Sequence, residues 1–81
     1  MLRSILIVDD EETIRRQLRR FFERARYEVF TAATGEEAIQ QIRQVTVDIA
    51  LLDLRLPDIS GIEVLKVLKQ ECPTTGAIIF T

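Results

Sequence analysis

Eighty-one residues, 47% hydrophobic and 30% charged, describe one globular domain and exclude a disordered tail or a membrane-embedded chain. A net charge of −2 and the absence of histidine exclude a general basic field for nucleic acid or anionic lipid, as well as Ser-His-Asp catalysis, HExxH zinc sites and a phosphohistidine within this chain. No apolar run approaches the roughly 18 residues of a membrane helix, and residues 5–8 are too short for a signal-peptide core, so a cytoplasmic protein without direct nucleic-acid or membrane contact is expected.

Taken in order, Ile5-Leu6-Ile7-Val8 is a buried-type strand that runs into Asp9-Asp10-Glu11-Glu12. From residue 12 to about 25, Ile14, Leu18, Phe21, Phe22 and Ala25 recur at helical spacing and form a core-facing stripe. Arg15, Arg16, Arg19 and Arg20 occupy the opposite face, which reads as a solvated surface or as a docking surface for an acidic partner. Residues 27–32 alternate more, with Glu28 and Thr31 among apolar neighbours, and predict a less buried edge strand.

Thr34-Gly35-Glu36-Glu37 matches a capping box, and Ala38, Ile39, Ile42 and Val45 supply the stripe of a second helix. The near-continuous apolar run of residues 47–53 predicts a strand buried on both faces, with Asp53 at its carboxyl end. Pro57 marks a turn, and Ser60-Gly61-Ile62-Glu63 is a second capping box. It opens a helix with Ile62, Leu65 and Leu68 inward and Lys66, Lys69 and Gln70 outward. Pro73 ends that helix, and Cys72 beside it reads as a small buried or half-buried thiol without a partner. Residues 74–76 form a loop, and Ala77-Ile78-Ile79-Phe80-Thr81 is a fourth strand.

The order β-α-β-α-β-α-β predicts an α/β domain built on a parallel sheet with right-handed crossovers. Nothing follows the last strand to cover it, although it is as apolar as an interior strand. An edge of that kind is an aggregation liability, so an incomplete domain that self-associates when isolated is expected.

If the first and third strands are neighbours and the second lies outside the first, Asp9 and Asp10 face Asp53 across the crevice at the carboxyl edge. On its own segment Asp53 reads equally well as the start of a turn or a helix cap. Three carboxylates a few ångströms apart repel one another and raise at least one pKa, and a hard divalent cation such as Mg²⁺ relieves the repulsion. A carboxylate beside Mg²⁺ can act as a nucleophile in phosphoryl transfer. Thr81, at the end of the fourth strand, reads as a hydroxyl donor to the phosphoryl group or simply as a β-branched residue ending a strand.

Ile7-Val8-Asp9-Asp10-Glu11, the segment from Asp53 to Gly61, and Thr81 after Ile78-Ile79-Phe80 together resemble the receiver domain of bacterial two-component response regulators. The resemblance covers residues 1–81 and implies a flavodoxin-like doubly wound sheet in the order 2-1-3-4, with the fifth strand and its flanking helices missing. It further implies that Asp53 accepts a phosphoryl group from a phosphohistidine on a sensor histidine kinase or histidine phosphotransfer protein. Asp10, Asp53 and the backbone carbonyl of Arg55 would hold Mg²⁺, Asp9 would act on the metal mainly through water, and Thr81 would sense the phosphate. The family's lysine and aromatic switch residue, on its fifth strand, would fall beyond Thr81. Such a domain is a regulatory phosphoacceptor that catalyses only its own phosphoryl transfer and dephosphorylation.

Two other readings share parts of this pattern. A haloacid-dehalogenase-like phosphatase would use Asp9 as nucleophile, but Glu11 stands where its second aspartate belongs. A non-phosphorylated interaction module is the other, although such a module would be expected to have lost carboxylates. A dinucleotide-binding domain is disfavoured, because its first turn needs glycines and this one carries four acids that would repel an anion.

Overall fold

A computed structural model describes residues 2–80. Seven elements follow one another: β1 (Arg3–Val8), α1 (Glu12–Arg24), β2 (Tyr27–Ala32), α2 (Gly35–Gln44), β3 (Ile49–Asp53), α3 (Gly61–Glu71) and β4 (Gly76–Phe80). All strand pairs are parallel and the sheet order is β2-β1-β3-β4, the flavodoxin-like arrangement. Ile5 lies between Val29 and Ile49, and Ile49 between Ile5 and Gly76, so the central pair β1 and β3 is the most enclosed.

Strand alternation sorts the core into two layers. Leu6 and Val8 of β1 and Ala50 and Leu52 of β3 point toward α2 and α3, where they meet Ala38, Ile42, Val64 and Leu68. Ile5 and Ile7 point the other way and, with Val29, pack under Leu18 and Phe22 of α1. Here Phe22 stands edge-on to Tyr27, with ring centroids 5.3 Å apart, a favoured aromatic geometry.

Several boundaries differ from the sequence reading for identifiable reasons. β1 starts two residues early, because Arg3 and Ser4 find partners in Tyr27 and Glu28. β3 starts at Ile49 rather than residue 47. There the Asp48 carboxylate accepts from the Ser4 amide at 2.7 Å and the Asp48 amide donates to the Ser4 hydroxyl at 3.1 Å, which turns the chain aside before it enters the sheet.

In α1 the inward stripe is Ile14, Leu18 and Phe22, while Phe21 is 64% exposed and Ala25 is also exposed. A strict i, i+4 stripe is narrow, and residues one step beside it turn to solvent. The helix stops where Arg26 takes φ 67°, the left-handed closing conformation usually given to glycine. In α3 the buried residues are Gly61, Val64 and Leu68, whereas Ile62 is 42% exposed. The phase follows the glycine, whose lack of a side chain lets the helix start lie against Asp53.

Of the two capping boxes, the first keeps its Thr34 half, the hydroxyl accepting from the Glu37 amide at 3.1 Å, while the Glu37 carboxylate accepts from the Ala33 amide at 3.5 Å instead of Thr34's own. Ser60 accepts instead from the Ile62 amide at 3.0 Å, and Glu63 turns to Lys66. β2 is an edge strand as expected, and Cys72 is half-buried with its sulfur 3.7 Å from the Ile42 carbonyl oxygen.

Candidate functional site

The site follows from register. Val8 pairs with Leu52, so the next residue on each strand, Asp9 and Asp53, leaves the sheet side by side. Alternation then turns both toward the α1 face, away from α2 and α3. Asp10 lies one residue further on and is exposed, whereas Asp9 and Asp53 are buried. Carboxylate oxygens of the three residues come within 4.8 Å of one another.

Each buried carboxylate is held by an amide two residues on. The Glu11 amide donates to Asp9 Oδ1 at 2.8 Å, and the Arg55 amide donates to Asp53 Oδ1 at 2.9 Å. These short turns aim both groups while leaving an oxygen of each uncommitted to that turn. Burial raises the Asp9 pKa above its ordinary value, the Glu11 amide opposes this, and the charges of Asp53 and Asp10 add to the rise. Repulsion was the cause the sequence suggested; desolvation is the larger one, because Asp9 sits under the sheet edge.

An all-carboxylate donor set, part buried and part solvent-facing, fits a hard divalent cation that keeps some of its waters. A cleft lined by Asp10, Glu11, Asp53 and Arg55 opens beside it, so Arg55 borders the acidic cluster. On the α1 side a second cleft runs from Asp9 and Asp53 along Ile14, Leu18, Leu51 and Phe80. Phe80 is paired with Asp53 across the sheet. Thr81 lies outside the described residues.

Two residues that the sequence reading did not place near the site make contacts around it. Arg15, read as part of a basic helix face, reaches back so that its guanidinium donates to the Asp9 carbonyl at 2.8 Å. Its position one turn into α1 was the available signal. Asp58 accepts from the Gly35 amide and the Glu36 amide, both at 2.9 Å. No local pattern points there, because the partners are 23 and 22 residues away.

The family model for the response regulator receiver domain matches residues 5–81. The chain is 45% identical over 71 residues to the alkaline phosphatase synthesis transcriptional regulatory protein PhoP of Bacillus subtilis (strain 168), an alignment covering 88% of this chain and 30% of that protein. Among solved structures it resembles a CheY-like response regulator receiver domain protein from Methanospirillum hungatei JF-1, with a TM-score of 0.96 and 35% identity, covering 98% of this chain and 63% of that one. It also resembles the response regulator TrrA from Thermotoga maritima in complex with Mg(2+)-BeF, with a TM-score of 0.86 and 36% identity, covering 96% and 66%.

Proposed function

The chain belongs to the response regulator receiver domain family, and on that premise we propose that Asp53 is its phosphoacceptor, with Asp9, Asp10 and the Arg55 backbone carbonyl as its companions at a Mg²⁺ site. The domain is a phosphorylation-controlled signalling switch of a two-component system, and residues 1–81 are its receiver unit in this reading. The chain spans about 30% of the curated relatives it matches, so donor and output belong to the proposal. The donor is a phosphohistidine on a sensor histidine kinase or histidine phosphotransfer protein.

The observation that carries the reading is the convergence of Asp9, Asp10 and Asp53 within 4.8 Å at the carboxyl edge of the central strands. Asp53 Oδ1 is engaged by the Arg55 amide, so Oδ2 is the natural attacking oxygen. It forms a bond to phosphorus as the phosphorus–nitrogen bond of the donor breaks, and the imidazole leaves with its electron pair and takes up a proton. Bound Mg²⁺ would neutralise the charge on the transferred group and permit three carboxylates to stand together. Asp9 and the Arg15-braced loop hold that acidic edge in place, and Thr81 is proposed as the hydroxyl that senses the phosphoryl group. Catalysis in this reading is limited to the domain's own phosphorylation and dephosphorylation.

The test is mass spectrometry of the full-length protein treated with acetyl phosphate and Mg²⁺. One phosphoryl group on Asp53 is expected, absent from Asp53→Asn and without Mg²⁺. Label on Asp9 would instead indicate a phosphatase-like nucleophile, and no label on either would leave a non-phosphorylated interaction module.

A further inference from the structure

We propose that Asp58 is a positioning residue for phosphoryl transfer, holding the arc that carries Asp53 and the Arg55 carbonyl by clamping it to the start of α2. The inference rests on the receiver reading of Asp53.

The arc from Asp53 to Gly61 is tied at its two ends. The Leu54 amide donates to the Phe80 carbonyl at 3.2 Å, the Gly61 amide to the Leu54 carbonyl at 3.1 Å, and the Arg55 amide to the Asp53 side chain. Between these ends, among the described residues, the hydrogen bonds that tie residues 56–59 to another element are the two that Asp58 accepts from Gly35 and Glu36. Packing reinforces the same contact. A Cβ on Gly35 would lie 2.2 Å from Ile59 Cγ1, so Ile59 occupies space that only a glycine leaves open.

A helix needs a cap, and α2 already has one within its own segment. Thr34 serves the Glu37 amide at 3.1 Å, while Asp58 takes the two preceding amides from a distant loop. Those amides and the positive end of the helix hold the Asp58 carboxyl below its ordinary pKa, so it is ionised and fully able to accept. The consequence falls on the site. An arc pinned at its midpoint presents the Arg55 carbonyl and the Asp53 carboxylate in one arrangement, and preorganised groups lose less on binding a cation or a transferring phosphoryl group.

The experiment compares full-length wild type, Asp58→Ala, Asp58→Asn and Thr34→Ala. Three quantities are read: melting temperature, the Mg²⁺ dissociation constant by calorimetry, and the rate of Asp53 phosphorylation by acetyl phosphate at saturating Mg²⁺. Asp58→Ala is expected to weaken Mg²⁺ binding and slow phosphorylation by about threefold to tenfold each, the size that follows from losing hydrogen bonds of ordinary net strength. Asp58→Asn, which keeps one acceptor, falls between. Thr34→Ala removes the other α2 cap and lowers the melting temperature, but it leaves metal affinity and rate at wild-type values. If Asp58→Ala fails to fold, Asp58→Asn carries the comparison alone.

Asp58 variants that lower the melting temperature while keeping wild-type metal affinity and rate would make Asp58 a helix cap and nothing more. Wild type that takes label on Asp53 while the Asp58 variants behave normally refutes this inference and leaves the receiver reading standing. Wild type without label on Asp53 overturns both.

Discussion

Asp9 shows how a site can work against the fold that carries it. Its pKa is raised above 3.8 by burial first and by the charges of Asp53 and Asp10 after that. The fold therefore binds the proton more tightly than the unfolded chain does. This group's contribution to stability is greatest below the ordinary carboxylate range and is lost as pH rises through the raised value. Above that raised value the carboxylate is ionised and its full cost is present. Asp9→Asn mimics the protonated form, so the metal-free variant is expected to melt above wild type at pH 7, with the gap closing toward pH 3.8. Mg²⁺ should raise the melting temperature of wild type clearly and that of the variant much less. Scanning calorimetry of both proteins with and without Mg²⁺ at the two pH values checks this; a variant less stable than wild type at pH 7 without metal would remove burial strain from the account.

At the scale of elements, the glycines that open α2 and α3 carry different burdens. A Cβ on Gly61 would meet the Asp53 backbone carbonyl oxygen at 2.3 Å and the Leu54 Cα at 3.0 Å, whereas one on Gly35 meets only side-chain carbons of Ile59 at 2.2 and 2.7 Å and of Val64 at 3.2 Å. Backbone cannot step aside as a side chain can, so Gly61→Ala is expected to cost about 1–3 kcal/mol and Gly35→Ala less, by urea denaturation of each variant. Equal losses would show that the α3 start is free to shift. The order of elements and their types were legible from periodicity and from the acidic strand ends, because parallel strands buried on both faces leave near-continuous apolar runs. Helix phase was less legible. Phe21 and Ile62 looked inward by hydrophobicity alone, but α1 offers only a 14-18-22 stripe and α3 is phased by Gly61 against Asp53. The stop at Arg26 carried no glycine to announce it, and Asp58 acts across 22 or more residues, beyond the reach of any local motif.

At the scale of the whole molecule, the three carboxylates could be assembled from sequence only once the strand order was supplied, since residues 9 and 53 are neighbours solely because β1 and β3 are. That same order leaves one sheet face unequally covered. α2 and α3 close one side over β1 and β3, but on the other α1 lies over β1 and β2, and the β3–β4 half presents Leu51 and Ile78 with Ile78 54% exposed. Among the described residues β4 is also an edge strand, offering unpaired backbone groups beside that apolar strip. Both features favour pairing with another chain, because covering a large apolar side chain gains on the order of 1.5–3 kcal/mol. The 81-residue chain in isolation is therefore expected to self-associate at micromolar concentration. Sedimentation velocity over a concentration series should show the weight-average size rising with concentration. Ile78→Lys places a charge on the strip and should shift the distribution toward monomer, while Phe21→Ser, which removes a larger exposed apolar group from α1, should leave it unchanged. Association that follows Phe21 and ignores Ile78 would relocate the sticky surface from the sheet to the helix.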